Sequence, residues 1–168
     1  MVKLNRNFEI NPKFLSDKEC EWLIEYHKKN YLKLPRDLNY SHNGTDIINI
    51  SKIDHEKFRF IQSRLCHYIK EEFDYFAYPN YFELVKWPTG TSQDLHKDFD
   101  EHVFTSIIYL NNDFEGGETV VAGSKVEPWA GRMVTFRGNK LDHKVLKVTK
   151  GTRYTIPVWY LKYDSPDY

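Results

Sequence analysis

The chain has 168 residues, enough for one domain with a buried core, and its 24 basic and 24 acidic side chains leave no formal net charge. This balance gives no electrostatic reason to expect nucleic acid or an anionic membrane as a partner. The N-terminus lacks the apolar core of a secretory signal, and no stretch is long and apolar enough to span a bilayer. Cys20 and Cys66 fall in helical patterns, so we expect buried free thiols and a cytoplasmic protein.

The first half of the chain has the periodicity of two helices. A short strand is expected over residues 8–10, and Ser16 and Glu19 have the spacing of a capping box that opens the first helix. Asp54 is a candidate N-cap for a second helix over about 55–73, in which apolar residues step by three and four.

Between the two helices, residues 31–46 are polar and rich in turn-forming residues. This composition predicts a mobile loop, which either closes over a substrate or simply lies at the surface. A brief strand is expected over residues 46–50.

After Pro79 the pattern changes to strands separated by turns. Strands are expected at 81–87, 103–110, 118–121, 125–127, 132–137, 144–148 and 152–163. Two helices followed by about eight short strands predict a mainly β fold, a barrel or sandwich buttressed by N-terminal helices. We expect a single domain over 1–168, with helical support over about 1–78 and a catalytic β core over about 79–163.

The segment His96-Lys97-Asp98 is a candidate metal site. In an extended chain the side chains of His96 and Asp98 point to the same face. With His143 as the third ligand they form a 2-His-1-carboxylate set, which leaves positions on Fe(II) open for substrates and O₂. His102 and His42 are alternative third ligands, and His-x-Asp alone is a weak signal.

The last strand carries a candidate anion clamp. Arg153, Thr155, Pro157 and Trp159 share one face of it, as Thr105, Ile107 and Tyr109 share one face of an earlier strand. An interior Arg is costly unless it meets an anion, and its guanidinium fork matches a carboxylate. Arg153 is therefore a candidate for binding a carboxylated cosubstrate. The alternative is that it pairs with a protein carboxylate or points outward.

Several motifs agree in order and spacing. They are Trp87-Pro88-Thr89-Gly90, His96-Lys97-Asp98, Thr105-Ser106-Ile107-Ile108-Tyr109-Leu110-Asn111, Phe114-Glu115-Gly116-Gly117-Glu118-Thr119, Pro128-Trp129-Ala130-Gly131-Arg132, His143 and Gly151-Thr152-Arg153-Tyr154. In this series the chain resembles the 2-oxoglutarate- and Fe(II)-dependent oxygenases. It most resembles a minimal, prokaryotic- or virus-like member of the prolyl 4-hydroxylase-like branch. The resemblance implies a double-stranded β-helix core of the jelly-roll or cupin-like kind.

The resemblance also implies roles for individual residues. His96, Asp98 and His143 would bind Fe(II), Arg153 would hold the distal carboxylate of 2-oxoglutarate, and Tyr109 would donate a hydrogen bond to that cosubstrate. The other residues expected in the cosubstrate pocket are Trp87, Thr155 and Trp159. The implied reaction uses O₂ and releases succinate and CO₂, with ascorbate as a candidate further cofactor.

Two positions depart from the family pattern. The family often has Tyr at the position of Trp87, and an indole can donate a hydrogen bond but not accept one, so Trp87 either reaches a carboxylate or only packs. Pro157 stands where a small hydroxyl residue is common.

The expected substrate is a prolyl residue in a peptide or protein. The alternatives are the same chemistry on a free amino acid, a small molecule or a nucleobase, or a non-oxygenase barrel that binds metal or sugar. A nucleic-acid dealkylase would place a second Arg six residues after Arg153, where this chain has Trp159, so nucleic acid is the weakest of these substrates.

Overall fold

The computed structural model of the protein describes residues 6–163, which contain two α-helices and fourteen strands. The helices are α1 (Asp17–Asn30) and α2 (Glu56–Phe73), and a 3₁₀ turn covers Ile50–Lys52. The strands are β1 (Phe8–Asn11), β2 (Asn39–His42), β3 (Thr45–Ile48), β4 (Ala77–Phe82), β5 (Leu84–Trp87), β6 (Gln93–His96), β7 (His102–Tyr109), β8 (Glu115–Gly116), β9 (Thr119–Val121), β10 (Ser124–Val126), β11 (Met133–Phe136), β12 (His143–Val145), β13 (Val148–Lys150) and β14 (Arg153–Lys162). Neither helix has the length and apolarity needed to cross a membrane.

Two antiparallel sheets form the body of the fold. The large sheet has the order β1-β11-β7-β14-β5-β3-β2, and β4 pairs with a further part of β14. The small sheet has the order β10-β9-β12-β6, and β8 pairs with β13. A cavity of about 530 Å³ is lined by residues of both sheets. This mainly β architecture, with both helices in the first half of the chain, confirms the predicted fold class.

The longest strand, β14, organises the large sheet. It pairs with β7 along one edge and with β5 and β4 along the other. Ile156, Val158 and Tyr160 face the helices and join the core that contains Leu23 and Leu65. The alternate residues of β14 face the cavity, as the period of two along a strand requires.

The capping box of the first helix is present as predicted. The Ser16 hydroxyl accepts a hydrogen bond from the Glu19 N–H at 3.1 Å, and the Glu19 carboxylate accepts one from the Ser16 N–H at 3.0 Å. The helix buries Cys20, Leu23 and His27. Cys20 and Cys66 are free thiols as expected, although Cys66 is only half-buried.

The cap of the second helix differs from the prediction. The N-cap residue is His55, whose Nδ1 accepts from the Lys57 N–H at 3.1 Å, and whose backbone is extended. Asp54 instead forms an ion pair with Arg59 on the surface. The imidazole takes the capping role because an unprotonated ring nitrogen can accept a hydrogen bond as a carboxylate does.

The prediction of a continuous loop over 31–46 is also wrong in its second part. Residues Asn39–His42 and Thr45–Ile48 pair as a hairpin, and Asn43 and Gly44 form its turn with φ of 52° and 79°. Positive φ at both turn residues is what a tight hairpin needs, and Asn-Gly supplies it. The hairpin extends the large sheet beyond β5.

Two strands predicted as continuous are interrupted. The run over 81–87 divides at Glu83 into β4 and β5, and the Glu83 N–H donates to the Pro157 carbonyl at 3.1 Å. The run over 144–148 divides between β12 and β13. At Glu83 the chain keeps β14 as its pairing partner in one register, whereas β12 pairs with β6 and β9 and β13 pairs with β8.

Candidate active site

The small sheet brings His96, Asp98 and His143 together. His96 is the last residue of β6 and His143 the first of β12, and the two are direct partners in the antiparallel register. Their ring centroids are 4.3 Å apart. Asp98 lies two residues beyond the end of β6, where its N–H donates to the Gly138 carbonyl at 2.9 Å. Pairing of the strands therefore assembles the three side chains.

The ligand atoms of this triad point toward one another. Asp98 Oδ1 lies 3.3 Å from His143 Nε2 and 3.5 Å from His96 Nε2, and one ligand atom from each residue falls within a 4.8 Å span. Within residues 6–163 no other set of three such side chains is this close. His42 and His102, the alternative third ligands, line the cavity but lie outside the triad.

Backbone carbonyls fix the tautomers of both histidines. His96 Nδ1 lies 2.8 Å from the Asp94 carbonyl, and His143 Nδ1 lies 2.9 Å from the Leu141 carbonyl. A carbonyl can only accept, so each Nδ1 carries a proton, and Nε2 is the nitrogen of each ring that faces Asp98 and could bind a metal. An orienting hydrogen bond of this kind is the usual second partner of a metal-binding histidine.

The two oxygens of the Asp98 carboxylate have different neighbours. Its Oδ2 accepts a hydrogen bond from the Thr105 hydroxyl, which leaves Oδ1 facing the two imidazoles. Burial opposes ionisation, but hydrogen bonds from His143, His96 and Thr105 outweigh it and hold the pKa of the carboxyl well below its usual range. Gly138 is also required, because a methyl group there would overlap Asp98 Oδ2 and Thr105 Oγ1.

Arg153 is a buried cation with unused donors. Its side chain is fully buried, and one Nη2 hydrogen bond goes to Thr119 Oγ1 at 3.1 Å. Nε and Nη1 have no hydrogen-bond partner in the described part of the chain, and no carboxylate there lies within ion-pair distance. The guanidinium lies 4.5 Å above the Trp87 ring. Arg153 thus neither pairs with a protein carboxylate nor points outward.

Trp87, Thr155 and Trp159 line the same cavity as Arg153. The Trp87 indole N–H donates to the Thr155 hydroxyl at 3.3 Å, so Trp87 both packs under the guanidinium and orients a neighbouring hydroxyl. Trp159 lies further along β14, with its ring 5.5 Å from that of Tyr81. These three side chains form one continuous wall with Arg153 because they occupy alternate positions on paired strands.

Tyr109 lies behind this wall, with its ring centroid 5.5 Å from the Arg153 guanidinium. It is fully buried and is not part of the cavity lining. Its hydroxyl accepts from the Thr119 N–H at 2.9 Å and donates to the Val126 carbonyl at 3.1 Å. Donation to a cosubstrate would require the hydroxyl to leave Val126, so that role stays a prediction.

The comparison with protein families matches residues 80–161 to the model of the 2OG-Fe(II) oxygenase superfamily. This segment contains the triad, Arg153 and Trp87. Residues 80–161 of the chain therefore form a 2OG-Fe(II) oxygenase domain.

Among curated relatives, human prolyl 3-hydroxylase 2 is 34% identical to this oxygenase over 65 residues, which are 34% of the present chain and 9% of the human protein. The oxygenase thus spans about a tenth of the length of that relative.

Solved structures match nearly the whole chain. The viral collagen prolyl hydroxylase of Paramecium bursaria Chlorella virus-1 has a TM-score of 0.76 at 21% identity, covering 95% of this chain and 98% of that one. A prolyl-4-hydroxylase of Pseudomonas putida has a TM-score of 0.74 at 18% identity, covering 95% of both chains. At these identities the likeness concerns the fold, and it confirms the predicted double-stranded β-helix.

Sequence reasoning missed one group in the cavity of this oxygenase. The carboxylate of Glu83 lies there with the hydroxyls of Tyr40 and Tyr81. A usable signal was present, since Glu83 lies two and four residues before Val85 and Trp87 and so shares their face of an alternating run. Tyr40 gave no such signal because it belongs to the hairpin that was taken for a loop.

Proposed function

We propose that this protein is a 2-oxoglutarate- and Fe(II)-dependent dioxygenase that hydroxylates a prolyl residue in a peptide or protein. The observation that carries the proposal is the arrangement of Arg153, a buried cation with two unused donor atoms, on the same cavity as the His96, Asp98 and His143 triad. A cation that no protein group neutralises needs an anionic ligand, because its desolvation is otherwise uncompensated.

The triad suits a divalent first-row metal. Two imidazole nitrogens and one carboxylate oxygen are the donors of the 2-His-1-carboxylate iron sites, which keep the remaining positions open. In each ring Nδ1 is held by a backbone carbonyl and Nε2 faces the ionised Asp98, so a bound cation would displace the proton on Nε2 and take both Nε2 atoms and the carboxylate as ligands. Bound Fe(II) would supply the oxidative chemistry that converts 2-oxoglutarate and O₂ to succinate and CO₂ and hydroxylates the substrate.

The residues of the large sheet would orient the cosubstrate. Arg153 offers Nε and Nη1 to a carboxylate, and Thr155 offers a hydroxyl that Trp87 already orients. The Trp87 ring lies against the guanidinium and shields it from water. Arg153 would thus bind one end of the diacid while its other end faces the triad across the cavity. The protein supplies orientation and exclusion of water, and the metal and cosubstrate supply the oxidation.

The prolyl substrate is supported by the relatives and by the cavity wall. The curated and structural relatives described above are prolyl hydroxylases by name. The rings of Trp159 and Tyr81 offer an aromatic surface that suits an apolar five-membered ring. A free amino acid or another small molecule is the alternative, since a cavity of about 530 Å³ also accommodates such ligands.

The substrate class is tested with a panel of compounds. The enzyme would be incubated with Fe(II), 2-oxoglutarate, O₂ and ascorbate, which we propose as the reductant, together with proline-rich peptides, free proline or alkylated oligonucleotides. The expected result is succinate release with a gain of one oxygen that fragmentation assigns to a peptidyl proline. Turnover confined to free proline or to oligonucleotides would contradict the polypeptide substrate while leaving the oxygenase chemistry in place.

We also propose that the enzyme works in the cytoplasm. The free thiols of Cys20 and Cys66 support a reducing compartment. Expression of a tagged full-length protein followed by fractionation checks this, and recovery from an oxidising compartment would contradict it.

A further inference from the structure

The cavity also contains a buried carboxyl group, that of Glu83, which the proposed reaction does not use. Glu83 is 4% exposed, lies at the break between β4 and β5, and lines the same cavity as Arg153 and the triad. A carboxylate in such a position is costly unless its oxygens are satisfied.

The hydrogen bonds of Glu83 are unevenly distributed. The hydroxyls of Tyr40 and Tyr81 both donate to Oε2, the Tyr81 bond being 3.0 Å long, and the two hydroxyl oxygens are 2.9 Å apart. Within residues 6–163 no hydrogen bond reaches Oε1, and no Lys, Arg or His lies within ion-pair distance. An ionised carboxylate accepts at both oxygens, so half of this one is left for a ligand.

The strand register places Glu83 well away from Arg153. Trp87 is the partner of Arg153, and Glu83 lies four residues earlier, with its N–H bonded to the Pro157 carbonyl. At about 3.4 Å per residue this is a separation of about 14 Å along the sheet. That separation exceeds the length of a five-carbon diacid held at Arg153, so Glu83 faces the part of the cavity left for the substrate.

The surroundings of Glu83 favour a positively charged ligand. Burial raises the pKa of the Glu83 carboxyl because it disfavours the charged form, and the hydrogen bonds from Tyr40 and Tyr81 oppose this shift. Among the basic side chains, His42, which lines the same cavity, favours the ionised form of Glu83. The rings of Tyr81 and Trp159, whose centroids are 5.5 Å apart, add aromatic surface on which a cation and its methylene stem are stabilised.

We propose that Glu83, oriented by Tyr40 and Tyr81, is the substrate-recognition site for a cationic group, a protonated amine or a guanidinium, carried by the substrate. This inference rests on the proposed function and narrows its substrate class to proline compounds that carry a positive charge near the reacting ring. The cation comes either from a Lys or Arg beside the proline or from the ammonium group of an N-terminal proline.

Binding of matched peptides tests the inference without requiring turnover. The probes are short N-acetylated proline peptides that differ only in one neighbour, which is lysine, acetyl-lysine or norleucine, and a proline-first peptide with a free or acetylated N-terminus. Their affinities for the Mn(II)- and 2-oxoglutarate-loaded protein would be measured by calorimetry. We expect the charged member of at least one pair to bind about tenfold or more tightly than its neutral partner, since charged hydrogen bonds are the stronger kind. The pair that shows the preference identifies the source of the cation.

Two variants connect this preference to Glu83. Glu83→Gln keeps the shape of the side chain and removes its charge, so the ratio between charged and neutral peptides should fall close to one. Glu127→Gln removes the same charge from an exposed position outside the cavity and should keep the wild-type ratio. If Glu83→Gln does not fold, equal wild-type affinities within both pairs would still overturn the inference.

The outcomes separate this inference from the proposed function. Equal wild-type affinities within both pairs, or an unchanged preference in Glu83→Gln, would overturn the recognition site. A Glu83-dependent preference without any gain of oxygen on proline would support the site and contradict prolyl hydroxylation. A gain of oxygen on proline without a charge preference would support prolyl hydroxylation and contradict the recognition site at Glu83.

Discussion

The two faces of the large sheet are built from alternate residues of the same strands, yet they are completed in different ways. On the face toward the helices, Ile156 and Val158 pack into the apolar core, and the hydroxyls of Tyr160 and Ser106 satisfy each other at 2.8 Å. On the cavity face, Arg153 is equally buried but keeps two donor atoms without a partner among residues 6–163. One face is closed by the protein itself, and on the other Arg153 lines the cavity.

This difference assigns stability and binding to separate sets of residues. A buried polar group without a partner costs about 1–3 kcal/mol, so the cavity face is destabilising until it is occupied. The helix-facing side compensates with apolar burial. Substitutions on the helix side should therefore change the free energy of unfolding, and substitutions on the cavity side should mainly change binding.

The largest expected effect on the cavity side comes from the metal ligands. Because changing a residue that merely supports a ligand already lowers metal affinity about 10- to 100-fold, His143→Ala should weaken Mn(II) binding by more than about 100-fold and abolish turnover. Calorimetric titration measures this affinity. His102→Ala, which changes a cavity histidine outside the triad, should bind Mn(II) like the wild type. Wild-type affinity in His143→Ala would show that another residue is the third ligand.

A change at Arg153 should lower the affinity for 2-oxoglutarate rather than the affinity for the metal. Arg153→Ala removes charged hydrogen bonds worth about 1.5–3 kcal/mol each, so the affinity for 2-oxoglutarate should fall by about tenfold or more. Arg153→Lys should lie between, because it keeps the charge and loses the fork. Titration of the Mn(II)-loaded protein with 2-oxoglutarate provides the measurement.

The matched control for Arg153 lies on the other face of the same strand. Ile156→Ala should lower the free energy of unfolding by about 2–5 kcal/mol and leave 2-oxoglutarate affinity unaltered. If Ile156→Ala weakens the binding of 2-oxoglutarate while Arg153→Ala does not, the proposed division between the two faces is wrong.

A smaller effect is expected at Gly138, which contacts the triad without being a ligand. In Gly138→Ala the added methyl group would displace Asp98 or Thr105, so Mn(II) affinity should fall by about 10- to 100-fold, as for other residues that support a ligand. Lys140→Ala, at an exposed neighbouring position, serves as the control. Equal Mn(II) affinity in Gly138→Ala and the wild type, each checked for folding by circular dichroism, would show that Asp98 tolerates the displacement.

The smallest effect concerns a histidine on the helix side. His27 is buried, with Nε2 3.0 Å from the Asp46 carbonyl, and burial lowers its pKa below the ordinary value of 6.5. As the pH falls below about 6.5, His27 is therefore protonated in the unfolded chain before it is protonated in the folded one. The free energy of unfolding decreases in that pH range.

Chemical denaturation at pH 7 and pH 5 measures this contribution. His27→Gln should show a smaller loss of stability between these pH values than the wild type, whereas His67→Gln on the exposed side of α2 should match the wild type. An identical loss in the wild type and His27→Gln would mean that His27 is not protonated selectively in the unfolded chain.

The sequence was informative where local pattern and spacing agree with the tertiary structure. The alternation from Arg153 to Trp159 correctly predicted a shared face, because β14 is one uninterrupted strand. The capping box was also predicted correctly, because it depends only on Ser16 and Glu19, three residues apart. The pairing of His143 with His96 is a matter of strand register, which is set by contacts distant in the chain, and the sequence suggested it only through the family resemblance.

The failures have physical causes. The break at Glu83 is invisible in the alternating run, because β4 and β5 pair with β14 in one register and only Pro157, opposite Glu83, lacks an N–H to donate. The hairpin over 39–48 is polar and lacks hydrophobic alternation, although the Asn43-Gly44 pair is a hairpin signal in its own right. Both failures concern the same end of the cavity, and they explain why Glu83 and Tyr40 were overlooked together.

The measurement that tests the central claim most directly is the fate of O₂ during turnover of 2-oxoglutarate. The wild-type protein, supplied with Fe(II), 2-oxoglutarate and ¹⁸O₂, should release succinate that contains one labelled oxygen. Omission of Fe(II), His143→Ala and Arg153→Ala should each abolish or strongly reduce this product. Unlabelled succinate, or succinate formed equally well without Fe(II) or by His143→Ala, would contradict the assignment of the cavity as an Fe(II)- and 2-oxoglutarate-dependent oxygenase site.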